Sequence, residues 1–342
     1  MVTELAYAYG GPLGNAIVKA SVADFCVTEQ LGFEPTGSGE HVFLQIQKRD
    51  LNTQDILDRL QRFANVNPRQ LGYCGLKDKR AVTRQWFSVH LPTSSETNWR
   101  QLNDKQVKVL GATRHQRKLR IGVHKGNRFE IRLRSVGVDA ERLQRRCELL
   151  AQRGFPNYFG PQRFGYDNSN LDAARRLFAR KTSANKKPSR KQRLYISAAR
   201  AYIFNALVAI RVDDDSWSRP HDGDVYQLNG SGSLFRDSVS DDIAARLESG
   251  DLHITGPLWG AGDLLSSGAI AAREQHIAEI NADLSAGLAA LGMGQQRRAL
   301  RACAKNFHWE SQGDDLLLKF ELVKGSYATS LLRELVDTNV HQ

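Results

Sequence analysis

DDLLLKFELVKGSYATSLLRELV, residues 314–336, reads as an apolar strand, a turn at Lys324-Gly325 and a short helix. A single strand is not a stable object, because its backbone N–H and C=O groups need a neighbouring strand. The region before it offers none. An alanine-rich helix is expected over 269–293 and residues 213–260, with DDD and GSGS, read as loops. The strand-like runs all lie before residue 141, so the last strand is expected to join a sheet begun at the other end of the chain. The middle is then an insertion within one sheet domain.

Working outward, AIVKA (16–20), DFCVTEQ (24–30), the alternating HVFLQIQK (41–48), LGYCGL (71–76), RQWFSVHL (84–91), VKVLGA (107–112), KLRIGV (118–123) and RFEIRLR (128–134) read as strands. TQDILDRLQRFANV (53–66) reads as a helix behind the cap candidates Asn52 and Thr53, with Ile56, Leu57, Leu60 and Phe63 on one face. Composition changes near 141. There ERLQRRCELLAQRG reads as a helix, followed by the aromatic, glycine-rich NYFGPQRFGYDN, the helix LDAARRLFAR, a basic linker KTSANKKPSRKQR (181–193) and an apolar helix from Ser197 to about Val212. Together these predict an α+β fold, a mixed and largely antiparallel sheet with flanking helices around a more helical insertion.

The 342 residues are 41% hydrophobic and 25% charged, the composition of a globular protein. MVTELAYAYGGPLG has no basic segment followed by a long apolar run, and no stretch reaches the roughly 18 uninterrupted apolar residues of a membrane span. A soluble cytoplasmic protein without membrane contact is expected. Cys26, Cys74, Cys147 and Cys303 are far apart, with no CxxC pair and no His at ligand spacing, so free thiols are expected and no metal. Charge is uneven. Residues 101–200 hold 25 Lys/Arg against 7 Asp/Glu, whereas residues 201–342 hold 12 against 20. A concentrated basic region is what a polyanion-binding surface requires, and nucleic acid is the expected partner.

Two segments carry groups able to do chemistry. In GLKDKR (75–80) the carboxylate of Asp78 is flanked by Lys77, Lys79 and Arg80. Nearby positive charge favours the ionised form, which a nucleophile or base needs; the same pattern also suits an ordinary solvated turn. In RHQRKLRIGVHKGNRF (114–129) six Lys/Arg and two His occur without an acid, and strand alternation puts Asn127 and Phe129 on one face. An amide beside a ring can hydrogen-bond and stack a base; a core phenylalanine beside a turn asparagine looks the same. GxxxxGK[ST] and a strand-linked GxGxxG are absent, so no nucleotide cofactor is expected.

GLKDKRAVTRQWFSV (75–89) resembles the signature of the TruD family of tRNA pseudouridine synthases. DFCVTEQ with GEHVFLQIQKRDLNT, RHQRKLRIGVHKGNRFEIRLR, NYFGPQRFG, SAARAYIFN and KGSYATSLLREL resemble further family blocks in the same order. The resemblance implies a pseudouridine synthase catalytic domain over 1–152, completed by 302–342, with an inserted TRUD domain over 153–301. It implies a tRNA substrate, uridine 13 as the target and no cofactor, with base flipping and Asp78 as the catalytic carboxylate. By the same resemblance Lys19 is the basic partner of Asp78, with Arg333 as its rival. Asn127 orders the catalytic turn, Phe129 stacks on the uracil, and Phe25 and Tyr327 line the pocket. Candidate contacts to the RNA backbone are Lys77, Lys79, Arg80, Arg114, Arg117, Lys118, Lys125, Arg190, Lys191 and Arg193. A monomer is expected. The competing readings are a non-catalytic RNA-binding or RNA-chaperone protein, and a hydrolase using His115, His124 and an acid.

Overall fold

The computed structural model describes residues 5–92, 97–179 and 188–338. Its elements in chain order are β1 (Phe25–Gln30), β2 (His41–Arg49), α1 (Thr53–Ala64), β3 (Leu71–Tyr73), β4 (Val82–His90), β5 (Val107–His115) and β6 (Gly126–Leu133). Then come α2 (Ala140–Arg153), β7 (Phe155–Pro156), α3 (Ser169–Ala179), α4 (Arg190–Asp213), β8 (Tyr226–Leu228), β9 (Leu234–Phe235), α5 (Asp241–Glu248) and β10 (Leu252–Leu258). The chain closes with α6 (Gly268–Ile280), α7 (Ala282–Ala290), β11 (Gln296–Ala299), β12 (Arg301–Ala302), β13 (Lys305–Gln312), β14 (Asp315–Val323) and α8 (Ala328–Leu332). They form two compact units. One is built from Gly14–Ala140, Ala304–Gly325 and the residues from Val336 on; the other from the residues up to Leu13, Glu141–Cys303 and Ser326–Leu335.

The first unit holds an eight-stranded sheet of order β13-β14-β6-β1-β4-β2-β5, with β3 also paired to β4. Only β1 and β4 run parallel. The strand of 314–336 lies between β13 and β6, with Leu316 opposite Leu133 and Val323 opposite Gly126. The two backbones come close there: a Cβ on Gly126 would sit 2.3 Å from the Leu322 carbonyl oxygen, which only glycine avoids. Alternation in β2 sends Leu44 and Ile46 against Ile56 and Leu60 of α1, with Phe87 and Val89 of β4 completing that core. Each fully buried Leu or Ile contributes roughly 1.5–3 kcal/mol. At the start of α1 the N–H of Asn52 donates to the Asp55 carboxylate at 2.6 Å, and Asn65 closes the helix in the left-handed region.

The second unit is built around α4, whose Ala198, Ala199, Phe204 and Val208 are all fully buried. The span Lys191–Asp213 is long and apolar enough to cross a membrane, but 83% of its apolar window is buried, as befits a core helix. Residues 190–193, expected in the linker, form its first turn, because Ser189 and Gln192 make a reciprocal cap.

Other expectations need correcting. Residues 16–20 make only isolated bridges, and 118–123 form a loop rather than a strand. The alanine-rich helix is two helices, α6 and α7. Residues 213–260 include β8, β9, α5 and β10, and the sheet β11-β10-β8-β9 was hidden because β10 contains Gly256-Pro257. Gly256 is needed where the strand crosses the core: a Cβ there would meet Leu207 at 2.7 Å and Leu300 at 2.9 Å. The compact units also part from the expected boundaries at 152/153 and 301/302. The second unit takes α2, α8 and the residues up to Leu13, because buried Arg146 of α2 donates to the carbonyls of Tyr9, Gly11 and Glu334.

Candidate active site

Between β3 and β4 the chain makes the turn that carries Asp78, and side chains from three elements grip its backbone. Lys48, wholly buried on β2, donates from Nζ to the carbonyls of Leu51 (2.6 Å) and Asp78 (3.0 Å). Thr53, first residue of α1, accepts from the Lys77 N–H at 3.0 Å and donates to Gln85 of β4 at 3.1 Å; Gln85 in turn donates to the Gly75 carbonyl at 2.6 Å. Glu29 of β1 takes the Lys77 ammonium at 2.7 Å and the Trp86 N–H at 3.1 Å. Buried polar groups must be hydrogen-bonded to be tolerated, and this set satisfies itself by fixing the turn.

The Asp78 carboxylate makes none of these hydrogen bonds. Lys19 Nζ donates to its Oδ2 at 2.7 Å and lies 4.3 Å from the centroid of the Phe25 ring. Lys19 has φ of 57°, a conformation that costs a non-glycine residue roughly 1–2 kcal/mol. A part-exposed ion pair returns about 0–1 kcal/mol, so this one is held for its position and not for its stability. The cations flanking Asp78 in sequence do not surround it. Lys77 is buried against Glu29 and is therefore withdrawn as an RNA-backbone contact, while Lys79 and Arg80 are exposed. Arg333, the rival partner, lies in the other unit, donates to the carbonyls of Leu5 and Ala6 and pairs with Glu334.

From Lys19 the contacts lead to the expected aromatic residues. Phe25 meets Phe129 edge-on at 6.3 Å, and Phe129 stacks on Phe320 at 5.2 Å, leaving it only 8% exposed. Asn127 stands opposite Glu29, and its Oδ1 is buried with no hydrogen-bond partner among the described residues. The turn-holding expected of Asn127 thus falls to Lys48, Thr53, Gln85 and Glu29. Tyr327 belongs to the other unit, where its hydroxyl accepts from Arg163 at 2.5 Å.

Of the other basic candidates, Arg114 is committed to the Gly39 and Leu91 carbonyls and Lys118 to that of Arg69, which removes them as free phosphate contacts. Arg117, Lys125, Lys191 and Arg193 are exposed, and the side chain of Arg190 lies outside the described residues.

Cys74 and His124 join Glu29 in a cluster whose ligand atoms lie within 4.8 Å of one another, a grouping that their spacing in the sequence does not announce. The cluster is poorly suited to a cation. The Lys77 ammonium already occupies Glu29, and burial pushes the Cys74 thiol up to about 12, far from the thiolate that binds metals.

Lys48 and Glu29 carried a signal in the sequence. Each is charged where its alternating strand-mates, Leu44 and Ile46 or Phe25 and Val27, are apolar. Burial lowers the Lys48 ammonium from 10.5 to about 8. The native state therefore holds that proton less tightly than the unfolded chain does, and stability should rise with pH between these two values. Denaturant unfolding across that window should show a gain of up to about 3 kcal/mol in the parent protein that Lys48→Met lacks. Identical pH profiles would refute the assignment.

Known proteins resemble the chain along nearly its whole length. The family model described as TruD, tRNA pseudouridine synthase D, matches residues 3–176 and 176–335. The chain is 41% identical over 337 residues to the tRNA pseudouridine synthase D of Aeromonas hydrophila, covering 98% of this chain and 95% of that one. It is 43% identical over 339 residues to that of Methylococcus capsulatus, with 98% and 94% covered. A solved structure from Methanosarcina mazei, titled as a tRNA pseudouridine synthase D, superimposes with a TM-score of 0.73 at 22% identity over 96% of this chain and 95% of that one, which supports the α+β fold. With a family match along nearly its whole length and relatives above 40% identity, the chain belongs to the TruD family of tRNA pseudouridine synthases.

Proposed function

We propose that this protein isomerises uridine to pseudouridine in tRNA, with position 13 as its target and Asp78 as the catalytic carboxylate. The observation that carries this reading is the Lys19–Asp78 contact of 2.7 Å on a turn whose backbone is pinned on several sides. The reaction breaks the N1–C1′ bond, turns the uracil and joins C5 to C1′; the proton leaving C5 goes to water and N1 regains one. Two roles for Asp78 fit: adding to C1′, or taking the C2′ proton to give a glycal. Either needs a fixed, ionised carboxylate beside the ribose.

A uridine inside a folded RNA is out of reach, so it is extruded and read by stacking and edge contacts. Asn127, with its unpartnered Oδ1, suits the edge of the base, and Phe129 its face, with Phe25 beside them. Tyr327 is retained as a lining residue on the strength of the family motif alone. Lys79 and Arg80 beside Asp78, with Arg117, Lys125, Lys191 and Arg193, are left as phosphate contacts. Asp78, Lys19, Phe25, Asn127 and Phe129 all come from one unit of one chain, which suits a monomer. The rearrangement changes no oxidation state, which suits an enzyme working in the cytoplasm without a nucleotide cofactor.

Incubating the protein with in-vitro-transcribed tRNAs and mapping pseudouridine by position tests the proposal. Product at position 13 is expected, and no product at any uridine sinks it. Phe129→Leu should slow single-turnover conversion while leaving RNA affinity near normal, since one stacked ring is worth about 1–3 kcal/mol and phosphate contacts dominate binding. Unchanged single-turnover kinetics would leave Phe129 a core residue only.

A further inference from the structure

A second site lies at the other end of the sheet. Register places His41 opposite both His90 and His115, and Phe43 opposite Ser88, so these side chains share one face of β4, β2 and β5. His115 packs on Phe43 at 4.7 Å and on Phe33 at 5.4 Å, while Phe33 is 37% exposed. The loop from Gln116 to Val123 passes over them. It is pinned by three contacts: the Leu119 N–H donates to Ser88 Oγ, Lys118 Nζ to the Arg69 carbonyl, and the Gly122 N–H to the Cys74 carbonyl. Between loop and sheet lies a cavity of about 670 Å³, lined by Phe33, His41, Phe43, His115, Arg117 and Arg120 among others. That is within the range of roughly 300–1,000 Å³ typical of ligand pockets.

Two features specify a ligand. Arg117 and Arg120 are exposed at the cavity and their guanidinium groups have no hydrogen-bond or ion-pair partner among the described residues, which leaves both free for phosphate. Phe33, part-exposed, and His115 both line the cavity and pack on each other, aromatic surface on which a base can stack. Glu34 and Glu40 are the acids nearest in sequence, and Glu40 already faces His90 at 3.2 Å. Rings and unpaired guanidinium groups together match a nucleotide better than an apolar or acidic protein segment.

We propose that this cavity is a second RNA subsite, which takes one unpaired nucleotide with its base on Phe33 and His115 and its phosphate on Arg117 and Arg120. It is separate from Asp78. Lys48, which touches the Asp78 carbonyl, is seven residues along β2 from His41, about 23 Å at the usual strand rise, and projects from the opposite face. A tRNA spans both. The subsite rests on the RNA reading above and adds to it a contact remote from the chemistry.

Full-length protein carrying Asp78→Asn, so that no product forms, serves for the binding tests with in-vitro-transcribed tRNA. Adding Phe33→Ala should weaken binding by about tenfold, within the range for one lost base stack. Adding Arg117→Gln with Arg120→Gln, which frees the one phosphate they share, should reduce the slope of log affinity against log salt by about 0.7, the value for a single-strand phosphate. Transcripts containing 4-thiouridine should crosslink to peptides spanning Phe33–Phe43 or His115–Val123. With Asp78 intact, Phe33→Ala at saturating tRNA should keep the parent single-turnover rate. Unchanged affinity and salt slope overturn the subsite, as do crosslinks confined to other surfaces. Failure of the pseudouridine reading is a different result: a parent protein that binds tRNA and forms no product.

Discussion

Asp78→Asn folds, binds tRNA and makes no pseudouridine: that is the expected result, with single-turnover conversion down on the order of 10³-fold or more, the scale seen when an enzyme loses its nucleophile or base. The backbone contacts that shape the turn involve the Asp78 carbonyl and not its carboxylate, so the amide leaves the grip of Lys48 intact. What disappears is the anion that Lys19 holds in place. Binding should hold or tighten, since a negative charge near phosphate is removed. Because the reaction replaces hydrogen at C5 of uracil by carbon, tritium placed there is released in step with product. Parent protein should release it and the variant should not. A folded, tRNA-binding Asp78→Asn that still releases tritium at more than a small fraction of the parent rate would remove Asp78 as the catalytic carboxylate.

The sheet was legible because alternation is a local signal. HVFLQIQK and DFCVTEQ carry a period of two, and the apolar run at 314–336 does pair with β6 as expected, but the premise that it has no partner nearby is wrong: β13, unread in the sequence, is its hairpin neighbour. The four-stranded sheet of the other unit was not legible. β8 and β9 are three and two residues long, and β10 carries a glycine and a proline that read as breakers, although Gly256 is there to let the strand pass over α4.

The site divides along the same line. Asp78 stood out through its motif, but its charged neighbours in sequence misled. Lys77 turns inward to Glu29, and the cation that meets the carboxylate comes from position 19. Through-space partners of this kind carry no spacing signal. Lys48 and Glu29 were detectable only as charges breaking an apolar alternation, and the cavity under the 116–123 loop only once three strands were set in register.

Glu29 and Lys77 carry a large expected stability effect, because their side chains are 0% and 7% exposed. Glu29→Ala leaves the Lys77 ammonium buried without its anion and the Trp86 N–H without its acceptor. Breaking a buried pair in this way costs about 3–5 kcal/mol, a large share of the roughly 5–15 kcal/mol that holds a domain folded. Glu29→Gln keeps an acceptor for Trp86 but not the charge, so it should recover only part of the loss. Replacing both partners, Glu29→Leu with Lys77→Met, removes the two buried charges together and should restore most of the stability, as apolar replacements of buried pairs commonly do. Turnover should not return with it. In the parent protein the Lys77 side chain is tied to β1 through Glu29 while its N–H is tied to Thr53, and together these set the position from which Asp78 projects. Denaturant unfolding and single-turnover tritium release, measured on all three variants, separate the two roles. Loss of stability below about 1 kcal/mol in Glu29→Ala would mean that the pair is not buried in solution. Full turnover in the stable double variant would mean that the tether does not position Asp78.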